Sequence, residues 1–250
     1  MNINMLIASV VVLLSSSAAQ AGTINYGTGS TDPWGNTTNN QAMNSAFGAG
    51  NWNLSHGFST TVFNGAEFVF LDGSDSNAIE FASFLTDNGA VIANYVAGGG
   101  RLFLNAAPNL GGSFDMGFGV RLNYRGFSDN VTVTAAGVAA GLTTGNLATS
   151  YSGYSFGHAT VSGDISNLIK TEDGSTVFGA MQFGKGFVAF GGETTTNFHS
   201  PSPDAAALRV NELLYVANAE TKDVPEPASL ALIGMGLLAA GAARRKAARK

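Results

Sequence analysis

Two short apolar runs, about 30 residues apart, constrain the fold of this chain more than any other feature. The first, Glu67-Phe68-Val69-Phe70-Leu71, is rich in aromatic and β-branched residues and indicates a buried strand. The second, Arg101-Leu102-Phe103-Leu104-Asn105, indicates another. A helical pattern lies between them, and a strand, a helix and a strand within about 40 residues predict a βαβ unit. The two strands are therefore expected to be parallel and adjacent.

The helix of this unit is predicted in two pieces. Asn77 followed three residues later by Glu80 is a pattern typical of a helix start. The run Asp87-Asn88-Gly89 predicts a break, after which a second apolar face extends from Val91 to Val96. The triplet Gly98-Gly99-Gly100 can supply the left-handed residue that ends a helix.

Similar patterns predict elements on both sides of the unit. Before it we expect strands at 23–26 and 52–54 and a short helix at 41–47. After it we expect four strands and a closing amphipathic helix, with a tight turn at Gly184-Lys185 between the last two strands. These later elements are predicted at 131–134, 165–170, 175–183, 186–190 and 204–219. The expected fold class is α/β and flavodoxin-like, a mostly parallel sheet with helices on both faces and a hairpin-rich second half.

Part of this pattern resembles a known family. The segment Tyr95-Val96-Ala97-Gly98-Gly99-Gly100-Arg101-Leu102, with 186–192 and the closing helix, is similar to class I glutamine-amidotransferase-like domains, which are flavodoxin-like. In active members a Cys follows the strand that corresponds to 102–104, and a later His and Glu activate it. This chain has Asn105-Ala106-Ala107 there and no Cys anywhere. The resemblance therefore implies the fold without amidotransferase activity.

The N-terminal end carries a segment typical of export. Met1-Asn2-Ile3-Asn4 is followed by a mostly apolar run and by small residues that end in Ala19-Gln20-Ala21. This order is that of a secretory signal peptide cleaved after Ala21, although no Lys or Arg precedes the apolar run. We expect a signal helix within 1–21 and one extracellular domain at 22–223. A short buried helix is the alternative for the first segment.

The C-terminal segment, 224–250, combines three features. It begins with Val224-Pro225-Glu226-Pro227, continues with an apolar run at 228–243 and ends in a basic cluster that starts at Arg244-Arg245. A helix over the apolar run would be about 24 Å long, short for a hydrocarbon core of about 30 Å, so it would span a membrane only marginally. The positive-inside bias would hold the basic end in the cytoplasm and the preceding chain outside.

In this order, the three features resemble the PEP-CTERM sorting signal of Gram-negative bacteria. The resemblance covers about the last 27 residues and implies cleavage near Pro225-Glu226-Pro227 by an exosortase, in organisms that make extracellular polysaccharide. The implied protein is secreted or lies at the envelope surface, with transient anchoring by its C-terminal helix. Signal peptidase and exosortase are the implied processing partners, and extracellular polysaccharide is a further candidate partner. A plain membrane anchor is the alternative.

Composition narrows the classes of function. The whole chain has 12 Lys and Arg and 17 Asp and Glu. Five of the basic residues follow Ala243 and Glu226 lies in the sorting signal, which leaves 7 basic and 16 acidic residues at 22–223 and a formal charge of −9. An acidic domain argues against a nucleic-acid partner, because phosphates require Lys and Arg. The absence of Cys excludes thiol nucleophiles and thiolate metal sites, and we expect no cofactor.

The candidate ligand-binding residues follow the predicted strands. Ligands of open parallel sheets bind at the carboxyl ends of the strands. At that edge we expect Asp72, Asn105 and Glu193, with His199 in the loop that follows. Carboxylate, amide and imidazole groups could hold a small polar or sugar ligand there. Alternatively, these residues order turns and loops, as Asp and Asn often do.

Catalytic and metal-binding roles are further alternatives for this edge. Asp72 and Glu193 could act as acid and base of a glycoside hydrolase if the fold places them several ångströms apart. The oxygen-rich run 72–77 could bind calcium, but its spacing differs from the calcium-loop signature and suits a helix start better, so no metal site is predicted. Two hypotheses follow. The favoured one is a non-catalytic surface or matrix protein associated with polysaccharide, and the other is a secreted hydrolase that uses Asp72, Glu193 or His199.

Overall fold

The computed structural model describes residues 22–109, 112–125, 129–153 and 156–221. The predicted signal helix and the predicted C-terminal membrane helix lie outside these residues. Within the described ranges, no helix is both long enough and apolar enough to cross a membrane.

Five strands form the parallel part of one large sheet. They lie side by side in the order β2-β1-β3-β4-β12, which is the 2-1-3-4-5 order of flavodoxin-like sheets. The apolar runs predicted as parallel neighbours are β3 and β4, and this prediction is confirmed. The five strands are β1 (Thr23–Thr28), β2 (Asn53–His56), β3 (Ala66–Asp72), β4 (Arg101–Asn105) and β12 (Gly186–Gly191).

The other strands extend the sheet beyond β12 in antiparallel order. The path continues β11-β10-β7-β8-β13, and β9, β6 and β5 branch from β11. The turn at Gly184-Lys185 joins β11 to β12, as the sequence predicts. These strands are β5 (Phe114–Asp115), β6 (Arg121–Tyr124), β7 (Val131–Val133), β8 (Ser150–Gly153), β9 (Ala159–Ser162), β10 (Ser166–Thr171), β11 (Thr176–Phe183) and β13 (His199–Ser200).

The prediction of a mostly parallel sheet is wrong. Among the described residues, four strand pairings are parallel and eight are antiparallel. Parallel neighbours need a long crossover, usually a helix, whereas antiparallel neighbours need only a short turn. Short, Gly-rich connections dominate the second half of the chain, so its strands return as hairpins and the sheet is mixed.

Helices cover both faces of the sheet, as expected. On one face, α2 (Ala78–Ala97) buries Phe81, Leu85 and Val96 against the sheet. On the other face, α1 (Thr38–Phe47) and α4 (Ser202–Ala217) bury Met43, Leu208 and Leu213. A fourth, short helix is α3 (Ala135–Ala139). The sheet therefore lies between two apolar layers.

The predicted break in α2 is wrong, because the helix continues through Gly89. Gly89 is exposed, and a glycine in a helix costs about 1 kcal/mol relative to alanine. The helix buries Phe84 and Leu85 before this point and Ile92 and Val96 after it. Each such side chain contributes about 1.5–3 kcal/mol when buried, so the packing outweighs the local preference.

The end of α2 follows the sequence prediction. Gly99 has φ of 114°, a backbone conformation that a residue with a Cβ rarely adopts. The amide of Gly99 donates to the carbonyl of Val96 at 2.9 Å, and that of Gly100 donates to the carbonyl of Tyr95 at 3.0 Å. These two bonds form a Schellman motif, which turns the chain directly into β4.

Candidate functional site

The sheet register brings Asp72 and Asn105 side by side. They are paired residues at the last positions of β3 and β4, and Asn105 is in turn paired with Gly191 of β12. A Cβ on Gly191 would lie 2.5 Å from Oδ1 of Asn105, so a glycine leaves space for the amide side chain. Through that space Asn105 Nδ2 donates to the carbonyl oxygen of Glu193 at 2.9 Å, and Glu193 N donates to Asn105 Oδ1 at 3.2 Å.

Asp72 is held by three hydrogen-bond donors. Its Oδ2 accepts from Nδ2 of Asn39 at 2.7 Å and from Nδ2 of Asn105 at 3.2 Å, and its Oδ1 accepts from the amide of Ser74 at 2.8 Å. Only 1% of Asp72 is exposed. Burial raises the pKa of the Asp72 carboxyl, while the bonds from Ser74 and the positive charge of Arg209 act in the opposite direction.

Glu193 forms a buried ion pair with a residue that the sequence reasoning missed. Nη2 of Arg209, on α4, lies 2.9 Å from Oε2 of Glu193, and both side chains are at most 2% exposed. The guanidinium carbon of Arg209 also lies 5.9 Å from the ring centre of Phe70 and 5.5 Å from that of Phe103. The cation is therefore packed against aromatic rings and paired with a carboxylate.

Glu212 is the second missed residue, and it lies one helical turn after Arg209. Its Oε2 is 3.4 Å from Nη1 of Arg209, and the side chain is 0% exposed. The buried stripe of α4 contains both charged residues among its apolar members. The stripe consists of Ala205, Leu208, Arg209, Glu212, Leu213 and Val216.

A sequence signal for this pair existed. Arg209 and Glu212 fall on the same helical stripe as Leu208 and Leu213, at positions where an amphipathic helix normally has apolar residues. Charged residues are almost never fully buried unless they are paired. The stripe therefore indicated an ion pair inside the protein, although it did not indicate the partner Glu193.

His199 is close to this cluster in the chain but is engaged separately. Its Nε2 lies 2.9 Å from Oγ1 of Thr194, and its ring stacks on Phe156 with 3.9 Å between ring centres. Only 4% of His199 is exposed. Burial and the charge of Arg209 lower the pKa of His199 to about 3, so the imidazole is neutral at physiological pH.

All four predicted ligand-binding residues are thus buried. The structure connects Asp72, Asn105 and Glu193 directly, and His199 joins them through the segment that starts at Thr194. We call the group of Asp72, Asn105, Glu193, Arg209 and Glu212 the strand-end cluster. The polar atoms of Asp72 and Asn105 all bind protein groups, whereas Glu193 Oε1, both Glu212 carboxyl oxygens and Nε and Nη1 of Arg209 have no hydrogen-bond partner within the described ranges.

The crevice between β1 and β3, where ligands of flavodoxin-like sheets bind, is covered by the chain itself. Asn77 Nδ2 donates to the carbonyl oxygen of Thr31 at 2.9 Å, and Thr31 Oγ1 donates to Asn77 Oδ1 at 3.1 Å. The amide of Ser30 donates to Oε2 of Glu80 at 3.4 Å. The helix starts directly after Asn77, as predicted, although the Asn77 side chain does not cap it. The side chains of Asn77 and Glu80 bind the loop that covers the crevice.

The run 72–77 begins the turn into α2. Asp72 Oδ1 binds the amide of Ser74, and the carbonyl of Ser74 accepts from the amide of Asn77 at 3.3 Å. In the part of the chain that the structure describes, no group of three or more His, Cys, Asp or Glu side chains is placed to hold a metal ion.

A different type of site lies at the open edge of the parallel part. A cleft of about 310 Å³ lies beside β1 and β2, and none of its lining residues is charged. We call it the edge cleft. Asn53 Nδ2 donates to Asn25 Oδ1 at 2.9 Å, while the side chains of Ser55 and Asn64 make no hydrogen bond within the described ranges. The lining consists of Thr23, Asn25, Asn53, Leu54, Ser55, Thr61, Val62 and Asn64.

Two larger clefts flank α4. One, of about 410 Å³, lies between α1 and α4 and is lined in part by Ala42, Ala206 and Ala207. The other, also about 410 Å³, lies between α4 and the segment after α3. Asn211 borders both, but its Nδ2 already donates to the carbonyl oxygens of Leu142 and Thr144.

Comparison with protein families supports the prediction of a sorting signal in the C-terminal segment. Residues 223–246 match the PEP-CTERM protein-sorting motif. The residues predicted for sorting, Val224, Pro225, Glu226, Pro227, Arg244 and Arg245, lie in the matched range, which is outside the described residues. The motif indicates an exported protein that is sorted by an exosortase. No curated protein matches the sequence.

Several solved structures are distantly similar to this chain. A putative ThuA-like protein from Parabacteroides merdae ATCC 43184 has 11% identity and a TM-score of 0.48, with 82% of this chain and 94% of that chain covered. A β-galactosidase from Bacillus circulans sp. alkalophilus has 12% identity and a TM-score of 0.45, with 78% and 30% covered. This chain therefore spans less than a third of that glycosidase. At such scores, neither protein supplies an argument about activity.

Proposed function

We propose that this chain is a non-catalytic protein of the cell surface or extracellular matrix that associates with exopolysaccharide after sorting by an exosortase. One observation carries the non-catalytic part. The side chains best suited to chemistry, Asp72, Glu193 and His199, are at most 4% exposed and are bound by protein groups. A general acid or base must come within hydrogen-bond distance of the reacting atoms, which this packing prevents.

The polysaccharide partner is proposed from the chemistry of the edge cleft. Its amide and hydroxyl groups can both donate and accept hydrogen bonds, as sugar hydroxyls require. Leu54 is 40% exposed there and offers an apolar surface to the C–H groups of a sugar ring. The acidic character of 22–223 disfavours a polyanion, so we propose a neutral polysaccharide.

The experiment is retention on the matrix of the producing organism. The secreted protein is mixed with purified exopolysaccharide, and the bound fraction is measured by co-sedimentation, together with the release of reducing ends. We expect retention that resists moderate salt, because the contacts are uncharged, and no release of reducing ends. If the protein is not retained, the proposed association with polysaccharide is wrong. If reducing ends are released, the proposal that the protein is non-catalytic is wrong.

A secreted hydrolase remains the second candidate, favoured by a specific observation. Asp72 and Glu193 meet through Asn105 at the carboxyl edge of the sheet, and burial raises the pKa of both carboxyls, as a catalytic acid requires. This candidate requires the strand-end cluster to open to a substrate. It predicts turnover of a glycoside or ester that disappears in Asp72→Asn.

A further inference from the structure

Three buried carboxyl groups face a single buried cation in the strand-end cluster. Asp72, Glu193 and Glu212 all lie near Arg209, and each of the four side chains is at most 2% exposed. If all were ionised, the cluster would carry two uncompensated negative charges away from water. Charges buried in this way are neutralised by taking up protons.

The hydrogen-bond donors show which carboxyl is the one to be protonated. Asp72 accepts three hydrogen bonds, and Glu193 accepts from the Arg209 guanidinium at 2.9 Å. Neither carboxyl oxygen of Glu212 has a hydrogen-bond donor within the described ranges, since Nη1 of Arg209 at 3.4 Å is not aligned for one. Donors stabilise the ionised form, so Asp72 and Glu193 keep their charges better than Glu212.

Glu212 is also close enough in the cluster to share a proton with Glu193. Both carboxyl groups contact the guanidinium of Arg209, Glu193 at Nη2 (2.9 Å) and Glu212 at Nη1 (3.4 Å), so they are neighbours around one cation. Oε1 of Glu193 otherwise has no donor in the described part of the chain. Two carboxylates can only accept hydrogen bonds, so a hydrogen bond between Glu193 and Glu212 requires a proton on one of them. A proton on Glu212 would give Oε1 of Glu193 a donor and pair one of the two Glu212 carboxyl oxygens.

We propose that Glu212 binds a proton at neutral pH and donates a hydrogen bond to Glu193 through it, so that the attachment of α4 to the sheet depends on this proton and weakens in alkaline medium. Two contacts of the ionised Glu193 then join the last helix to the segment after β12: a hydrogen bond from the protonated Glu212 and the ion pair with Arg209. Loss of the proton would place two carboxylates in contact inside the protein.

Titratable and charged groups from several elements surround Arg209 and Glu212. Burial and the charge of Glu193 raise the pKa of Glu212 well above its ordinary value, while Arg209 acts in the opposite direction. The pKa of Tyr151 is itself raised, by burial and by nearby carboxylates that include Glu212. The titratable and charged neighbours are Tyr26 on β1, Asp72 on β3, Tyr151 on β8, Glu193 and His199 after β12, and Arg209 on α4.

The sign of the pH dependence follows from proton binding. Above the ordinary glutamate pKa of about 4.3 and below the raised value, the folded protein holds a proton that the unfolded chain has lost. Stability therefore falls as pH rises through this window, and the ratio of folded to unfolded protein decreases by up to about tenfold per pH unit from this residue. Glutamine has the shape of a protonated glutamate, so Glu212→Gln removes this dependence.

The test compares urea unfolding of the full chain and of Glu212→Gln at about pH 6 and about pH 8.5. We expect the unfolding midpoint of the wild type to fall between these values by more than that of Glu212→Gln, so that the variant is the more stable protein at the higher pH. Glu172→Gln, at an exposed position, is the matched control and should follow the wild type. Equal pH dependence in the wild type and Glu212→Gln would overturn the proposal.

A second measurement applies even if Glu212→Gln does not fold. Infrared spectroscopy of wild-type protein with ¹³C-labelled glutamate detects a protonated glutamate as a carbonyl band shifted by the label. We expect this band at neutral pH in the wild type and in Glu172→Gln. Its absence from the wild type at neutral pH would show that no glutamate holds a proton, and the proposal would be wrong.

Discussion

The strand-end cluster and the edge cleft both present polar side chains at the margin of the parallel strands, but they differ in charge and exposure. The cluster contains charged groups such as Glu193 and Arg209 that are almost completely buried and paired. The cleft contains uncharged groups such as Asn53 and Ser55, which are exposed. Charged residues at strand ends can therefore belong to the interior, while less conspicuous amides remain available for binding.

The largest expected effect comes from breaking the ion pair of the cluster. In Arg209→Met, Glu193 loses its charged partner inside the protein. Removing one member of a buried pair costs about 3–5 kcal/mol, and we expect a loss of that size in the free energy of unfolding measured with urea. Arg121→Met, at an exposed position of β6, should change it by less than about 1 kcal/mol. Similar losses of unfolding free energy in Arg209→Met and Arg121→Met would contradict the claim that the buried ion pair contributes more to stability than an exposed arginine.

An effect of intermediate size on stability is expected when the pH is lowered, because His199 is buried in its neutral form. Its folded-state pKa of about 3 lies below the ordinary value of about 6.5, so the unfolded chain binds a proton first as pH falls. Stability is retained above about pH 6.5 and decreases below it, by about 2 kcal/mol at pH 5.

The measurement for His199 is the pH dependence of unfolding in the wild type and in His199→Gln. Between about pH 7.5 and pH 5, the free energy of unfolding of the wild type should fall by about 2 kcal/mol more than that of the variant. The buried carboxyls contribute with the opposite sign but equally in both proteins, so the difference isolates the imidazole. Parallel pH profiles would mean that His199 is accessible to protons in the folded protein.

The smallest effect on stability, and the largest on binding, is expected in the edge cleft. Asn64→Ala removes an exposed amide that makes no side-chain hydrogen bond within the described ranges, so the free energy of unfolding should change by no more than about 0.5 kcal/mol. Retention on exopolysaccharide should fall severalfold in the co-sedimentation assay. Gln41→Ala, in the cleft between α1 and α4, is the control and should bind as the wild type does. Equal retention of both variants would place the binding surface elsewhere.

The parallel part of the fold was predictable because its signals are local. The strands β3 and β4 were predictable from apolar runs, the helix between them from its apolar face, and the cap at Gly99 from the glycine triplet. The continuity of α2 through Gly89 was not, since it depends on burial against a sheet that the local sequence does not contain. The pairing of β6 with β9 or β7 with β8 depends equally on distant partners.

The sequence predicted where the candidate site residues lie, but it did not predict that they are buried. Strand ends placed Asp72, Asn105 and Glu193 at one edge, and the structure brings them together. Their burial follows from α4, which covers that region with Arg209 and Glu212, and from the loop that Asn77 holds over the neighbouring crevice. Both coverings are long-range contacts, which a single sequence does not specify.

The most direct measurement is turnover by the purified wild-type protein on a panel of glycosides, esters and the exopolysaccharide of the producing organism, in parallel with Asp72→Asn. We expect the wild type to show no turnover above the level of the variant, because the carboxyls of the strand-end cluster are buried and bound by protein groups. Clear turnover by the wild type that is lost in a folded Asp72→Asn variant would contradict this and identify the cluster as an active site.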